Sequence, residues 1–270
     1  MDVRSSCVAR WEAASVAVPG CANEDIVGLS GSYLWVFDGA SRADERACIQ
    51  ARRLVAALDA GIRLAVAAAP GSLRDVMVAA VRHARNECGD ARCGGWKSSA
   101  AGIIARVDNG RLEYLRLGDV SLIVVQRDDV VVLGDPTAID RERQYLADAA
   151  VSGRSLSEVI QKRHTTMNQE GGYWMWSTEP LAALQAQTGV ISLAPDARLL
   201  LLSDGLMRLV DLFGRMTASE LIEHIESFGF LATIEVLRQI ESTTPNAGHF
   251  VRAKQCDDAS GLYACVKCGT

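Results

Sequence analysis

Apolar positions along the chain change period several times, and each change predicts an element. Val3–Val18 is rich in valine and alanine and stops at Pro19-Gly20, which reads as a strand. Ile26–Leu29 and Ser32–Phe37 are short apolar runs around Ser30-Gly31, the pattern of a hairpin. Helical spacing then takes over: Ala47, Ala51, Leu54, Leu58 and Ile62 lie on one stripe, behind Asp44 and Glu45 in the opening turn. Pro70-Gly71 breaks that helix, and Ser72-x-x-Asp75 is a capping box for a second one. Its Leu73, Val76, Met77, Ala80, Val81 and Ala84 form a single core-facing stripe.

From Trp96 to Leu133 the runs Ile103-Ile104, Leu112–Leu117, Leu122–Val125 and Val130–Leu133 alternate with Asp/Gly/Asn turns. That spacing predicts a meander of antiparallel strands. Asp140–Gln169 is helical and more polar, and Tyr173–Trp176 and Val190–Leu193 read as further strands. Leu199–Leu202 is a fully apolar strand that stops at Ser203-Asp204-Gly205. Helices follow from Leu206 and from Thr217, the latter with a Thr217-x-x-Glu220 box, and Ser260–Val266 is a last strand. No linker or repeat divides the chain, so one domain over residues 1–270 is expected. The economical packing of this order is an α+β fold, a four-layer α-β-β-α sandwich of two antiparallel sheets with helices outside.

Composition removes several function classes. With 49% hydrophobic and 23% charged residues the chain is not a disordered one. Its apolar runs are too short to span a bilayer, no secretory signal is visible, and a cytoplasmic, membrane-free setting is expected. A net charge of −5 without a basic run argues against nucleic acid as partner. The eight cysteines do not suggest a disulfide scaffold, and neither Cys88/Cys93 nor Cys265/Cys268 makes a convincing zinc pair. The four histidines are scattered without ligand spacing, and alternating Trp174 and Trp176 are expected to fill one face of a strand.

Carboxylates stand instead at element boundaries. Glu24-Asp25 precedes the second strand, Asp38-Gly39 follows an apolar strand, Asp204-Gly205 follows another, and Asp257-Asp258 precedes the last. A strand ending at Asp-Gly puts a carboxylate on rigid backbone at a sheet rim, where the glycine admits a ligand to the main chain. Several such groups at one edge repel unless a divalent cation neutralises them. Oxygen-only ligation without a histidine cluster points to magnesium or manganese rather than zinc.

The ordered set Asn23-Glu24-Asp25, Val36-Phe37-Asp38-Gly39, Leu117-Gly118-Asp119, Leu202-Ser203-Asp204-Gly205 and Asp257-Asp258-Ala259-Ser260 resembles metal-dependent serine/threonine protein phosphatases of type 2C, in their compact bacterial form. Ser98–Ala101 and Gly172–Pro180 extend the resemblance, which runs from about Val16 to Val266. It implies two packed antiparallel sheets with paired outer helices, and a binuclear Mn2+ or Mg2+ site at one end. Carried over by position, Asp38 bridges the two ions, the Gly39 carbonyl binds one, Asp204 and Asp257 hold the first, and Glu24 holds the second, directly or through water. Asp25 orients the attacking water, and Asp119 is kept at a third-metal position. The implied substrate is phosphoserine or phosphothreonine in a protein, attacked in line by water without a covalent intermediate, by a monomeric enzyme.

Three positions depart from that pattern. Gly20 stands where the family usually has a phosphate-gripping arginine, Ala40 where many eukaryotic members have a histidine, and Arg208 where an aspartate helps to hold a third metal. They bear on substrate affinity and on the third ion, and leave the two-metal set whole. Arg42, four residues after Asp38, is a candidate replacement for the phosphate-binding arginine. Arg141–Gln169 has the place of the variable flap beside the active site. Two other functions stay open on sequence: a catalytically weak relative that binds partner proteins, and a hydrolase of small phosphoesters.

Overall fold

The computed structural model describes residues 8–40, 50–68, 71–89, 92–93 and 96–267. Asp44, Glu45, Ala47, Arg42 and Cys268 lie outside them. Strands β1 (Val8–Val16), β2 (Ile26–Ser30) and β3 (Tyr33–Ala40) open the fold, followed by helices α1 (Gln50–Ala67) and α2 (Leu73–Cys88). The two-residue strands β4 (Arg92–Cys93) and β5 (Trp96–Lys97) pair with each other. Then come β6 (Ser99–Asp108), β7 (Arg111–Leu117), β8 (Ser121–Gln126) and β9 (Asp129–Leu133). Helices α3 (Ala138–Ser152), α4 (Leu156–His164) and the short α5 (Ala182–Gln185) lead to β10 (Gln187–Ser192) and β11 (Arg198–Leu202). Helices α6 (Asp204–Asp211) and α7 (Ala218–Thr243, kinked at Gly229) precede β12 (Ala259–Val266).

Two antiparallel five-stranded sheets result, in the orders β1-β12-β11-β8-β9 and β10-β7-β6-β3-β2. Strand alternation explains the layers. Leu34 and Val36 of β3 face Leu199 and Leu201 of β11 in the core between the sheets, whereas Trp35 and Phe37 face α1 and α2. On the far side, Leu200 and Leu202 of β11 pack under α6 and α7 with Leu221, Ile225 and Phe230. Each sheet is therefore covered on both faces, which is why its strands read as nearly continuous apolar runs. The α+β sandwich expected from the element order is the fold observed.

Both expected capping boxes form, at Ser72/Asp75 and at Thr217/Glu220. The six residues expected on the α2 stripe are all buried.

Two expectations need correction. The run from Trp96 to Leu133 is not one meander: β6 and β7 pair in one sheet, β8 and β9 in the other. The chain changes sheets at Gly118-Asp119, because buried Arg116 ties the carbonyls of Gly118 and Val120 to its guanidinium. Tyr173–Trp176 is not a strand either. It makes isolated bridges, Tyr173 to Met167 and Trp176 to Ala100, because Asn168 turns the chain back on itself and takes the Met175 N–H. Trp176 is buried and donates to the Gly102 carbonyl, and Trp174 packs against the same core cluster as expected, while also lining a cavity.

Candidate metal centre

Register brings the boundary acids to one end of the sandwich. Phe37 of β3 pairs with Ile26 of β2, so Asp38 and the Glu24-Asp25 segment share a rim. In the other sheet Leu202 pairs with both Gly261 of β12 and Ser121 of β8, which gathers Asp204, Asp257 and Asp119 at the same end. Asp38 itself lies within β3 and pairs with Ala101, so its position is set by a central strand rather than by a loop. Asp204 occupies the first turn of α6, where the helix dipole favours a carboxylate.

Two glycines let the rim close. A Cβ on Gly39 would sit 2.6 Å from the Glu24 carbonyl, which accepts the Gly39 N–H at 3.2 Å. On Gly205 it would lie 1.9 Å from the Asp258 carbonyl oxygen, a backbone atom that cannot swing aside. Gly205→Ala should therefore destabilise the fold by about 1–3 kcal/mol through forced backbone movement. Urea denaturation checks this, and an unchanged midpoint would show that the β12 entry yields freely.

Asp258, beside the expected ligand Asp257, has a building role. Its two oxygens accept the backbone N–H groups of Val18 and Glu24 at 2.9 and 2.7 Å, stapling the β1–β2 loop to the start of β12. Ser260 and Ser203 tie β12 to the end of β11 through Ser203 N–H to the Ser260 carbonyl and Ser260 N–H to Ser203 Oγ, both 3.0 Å.

The electrostatics are those of crowded carboxylates. Burial, followed by the charges of Asp25, Asp204 and Asp257, pushes Asp38 well above the ordinary carboxylate range. Burial also pushes Asp25 up to about 7, with Asp258 and Asp204 adding to it and the Ser260 and Ser203 hydroxyls opposing. Among the described residues neither Asp25 carboxylate oxygen completes a hydrogen bond, although both are buried. Asp119 is pushed to about 6 by burial and by Asp204, against the pull of Arg141. For Asp257 burial is outweighed by Lys254 and Arg208, which hold it below its usual range. Its Oδ1 accepts from Lys254 Nζ at 2.8 Å and its Oδ2 from Arg208 Nη2 at 3.1 Å.

This donor set fits a hard divalent cation. It is all oxygen, it carries excess negative charge, and it leaves a buried carboxylate at Asp25 without a hydrogen-bonded donor among the described residues. Among the described residues, no three acidic, thiol or imidazole groups are already gathered around one point at ligand distance. The acids are assembled at one rim but turned to the chain's own donors: Asp257 to Lys254 and Arg208, Asp119 to Arg141, Asp258 to backbone. Of the sites expected from sequence, Asp25, Asp38, Asp119, Asp204 and Asp257 meet here through their side chains, Glu24 and Gly39 are brought to the same rim by backbone contacts, and Arg42 lies outside the described residues.

The sequence does not mark Lys254 or Glu142 as participants, nor does it show the ion pairs of Arg141 and Arg208. A cavity of about 220 Å³ is lined by Asp119, Asp204 and Asp257 and also by Arg141, Glu142 and Lys254. Arg141 pairs with Asp119 and Asp135, and Glu142 accepts the Ala253 N–H. Both sit on α3, whose polar pattern reads as a solvated face. Arg208, at the third-metal position, is buried and reaches Glu241 at 3.2 Å as well as Asp257. The acid cavity shares Asp119, Arg141, Tyr145 and Ile160 with a larger one of about 490 Å³, lined also by Tyr173 and Trp174. The α3–α4 excursion thus borders the acid site, as expected of Arg141–Gln169.

Comparison with solved structures places this fold. The Mycobacterium tuberculosis serine/threonine phosphatase PstP/Ppp aligns over 96% of this chain and 98% of its own, at 17% identity and a TM-score of 0.56. The PPM Ser-Thr phosphatase MsPP of Mycobacterium smegmatis, solved with cacodylate, aligns over 95% and 98% at 16% identity and 0.57. The catalytic domain of PstP in complex with two manganese ions aligns over 96% and 98% at 16% identity and 0.55. No protein-family model and no curated protein sequence matches the chain. At these identities the likeness establishes a shared fold.

Proposed function

We propose that the chain is a metal-dependent protein phosphatase of type 2C that hydrolyses phosphoserine and phosphothreonine. The observation that carries it is the convergence of Glu24, Asp25, Asp38, Asp119, Asp204 and Asp257 on one rim of a fold shared with PPM phosphatases. Asp38, Asp204 and Asp257 would hold one divalent ion; Asp38, Glu24 and the Gly39 carbonyl would hold a second, and Asp119 a third. Manganese or magnesium, when bound, lowers the pKa of water and offsets the charge that builds on the phosphoryl oxygens. Asp25, whose buried oxygens have no hydrogen-bonded donor among the described residues, would orient the attacking water and accept its proton. The nearby Ser203 and Ser260 hydroxyls favour its charged form, and Asp258 keeps its loop in place. The chain would act as a single domain and a monomer in the cytoplasm on phosphorylated proteins; among the described residues no helix is long and apolar enough to cross a membrane.

The test is turnover of a phenyl phosphate by chelator-treated protein. Manganese should restore hydrolysis and EDTA should abolish it; activity that survives thorough chelation would sink the reading. Faster turnover of phosphopeptides than of small phosphoesters is expected for a protein phosphatase.

One observation favours a second reading, a binding module with weak turnover. Both oxygens of Asp257 are engaged by cations of the chain itself, and Gly20 offers no phosphate-gripping side chain. Manganese binding without any hydrolysis would support that module.

A further inference from the structure

Three cationic side chains line the acid cavity: Arg141, Arg208 and Lys254. A phosphate dianion entering there needs a donor with hydrogens to spare, since the acids around it only accept. Arg141 has its fork committed to Asp119 and Asp135. Arg208 is buried, with one arm on Glu241 and the other on Asp257. Lys254 differs from both. Its side chain is 57% exposed, and among the described residues its ammonium makes a single hydrogen bond, to Asp257 Oδ1 at 2.8 Å. Two of its three donor hydrogens remain for a ligand.

The backbone beneath Lys254 is held firmly. Buried Arg252 donates to the carbonyls of Phe250, Glu241, Thr244 and Gln255, so both flanks of Lys254 are tied to α7 and its following turn. The N–H of Ala253 is taken by Glu142 of α3. An exposed cationic head on a fixed base is an arrangement suited to gripping an anion whose place is set by other groups.

We propose that Lys254 grips the substrate phosphate, in the role left vacant by the absence of a guanidinium at Gly20. The proposal rests on the phosphatase reading given above. It has a second consequence. Lys254 and a divalent cation both seek Asp257, so removing the ammonium should help one ligand and harm the other.

Two titrations of the whole protein test it, neither of which needs turnover. Manganese binding is measured by calorimetry on the metal-free chain, and inorganic phosphate binding on the manganese-loaded chain, for wild type, Lys254→Met and Lys254→Arg. Lys254→Met should bind manganese about three- to tenfold more tightly and phosphate about three- to tenfold more weakly, the size of one partly exposed charge-assisted contact. Lys254→Arg should bind phosphate nearly as the wild type does. Lys162→Met, at an exposed lysine on α4, should shift neither constant. An unchanged phosphate constant in Lys254→Met overturns the proposal. So does a joint weakening of both ligands, which would make Lys254 a structural prop for Asp257. Wild type that binds both ligands but hydrolyses nothing would overturn the phosphatase reading, while the titrations still decide Lys254. Wild type that takes up no manganese overturns both.

Discussion

Asp38→Asn should lower manganese-dependent turnover about a hundredfold or more, and Asp204→Asn by a similar factor. The two side chains enter from different sheets, Asp38 from within β3 and Asp204 from the first turn of α6, yet each raises the cost of charge in the same cluster. Replacing either carboxylate by an amide keeps the shape and removes both a charge and a ligand. Folding should hardly suffer, because burial and neighbouring carboxylates disfavour the charge at Asp38 in the metal-free chain. Stability and turnover should therefore part company: an unchanged or raised melting temperature without metal, and a large loss of activity with it. Asp129→Asn serves as the comparison, since Asp129 is exposed at the start of edge strand β9. Equal losses at all three positions would mean that the centre lies elsewhere.

Glu241→Ala should cost about 3–5 kcal/mol of stability. Glu241 is fully buried on α7 and receives Arg208 at 3.2 Å and Arg238 at 2.6 Å through its two oxygens. Its removal takes one of two carboxylate partners from buried Arg208, which keeps only the Asp257 pair among the described residues. It also takes the carboxylate that Arg238 donates to, a loss of compensation that folding tolerates poorly. For a chain of this size that corresponds to a fall in melting temperature of roughly 6–20 °C. Arg208 is also the neighbour that holds Asp257 Oδ2, so metal affinity should change alongside stability. Thermal unfolding of the metal-free protein isolates the first effect. A shift under about 2 °C would show that water replaces the carboxylate, and that the Arg208–Glu241–Arg238 cluster contributes little.

Much of this protein is written locally. The stripe of α2, the two capping boxes and the β2–β3 hairpin are short-range patterns, and each is present in the structure. The rim acids were legible for the same reason, since an apolar run that gives way to Asp-Gly marks a sheet end, although β3 itself runs on through Asp38 and Gly39 to Ala40. What failed were statements about partners. The β6–β9 run has the alternation of a meander, but alternation does not say which sheet a strand joins; buried Arg116 and the Gly118-Asp119 joint decide that. Tyr173–Trp176 has strand composition, and only the turn built on Asn168 excludes it from a sheet.

The same division runs through the site. Its carboxylates were visible one by one, while their counter-charges were not. Arg208 and the Arg141–Gln169 segment could be placed beside the site by resemblance, but Lys254 could not, and nothing in the spacing of Lys254, Arg141, Arg208 or Glu142 says which partner it meets. Burial and pairing across 49 residues, as between Arg208 and Asp257, depend on how α6 packs against the start of β12. The sequence alone determined which residue types stand at the rim and which elements carry them, because hydrophobic period and capping act over a few residues. Tertiary structure alone decided which charges meet there, because electrostatic partners are chosen by distance in space and by the water excluded between them.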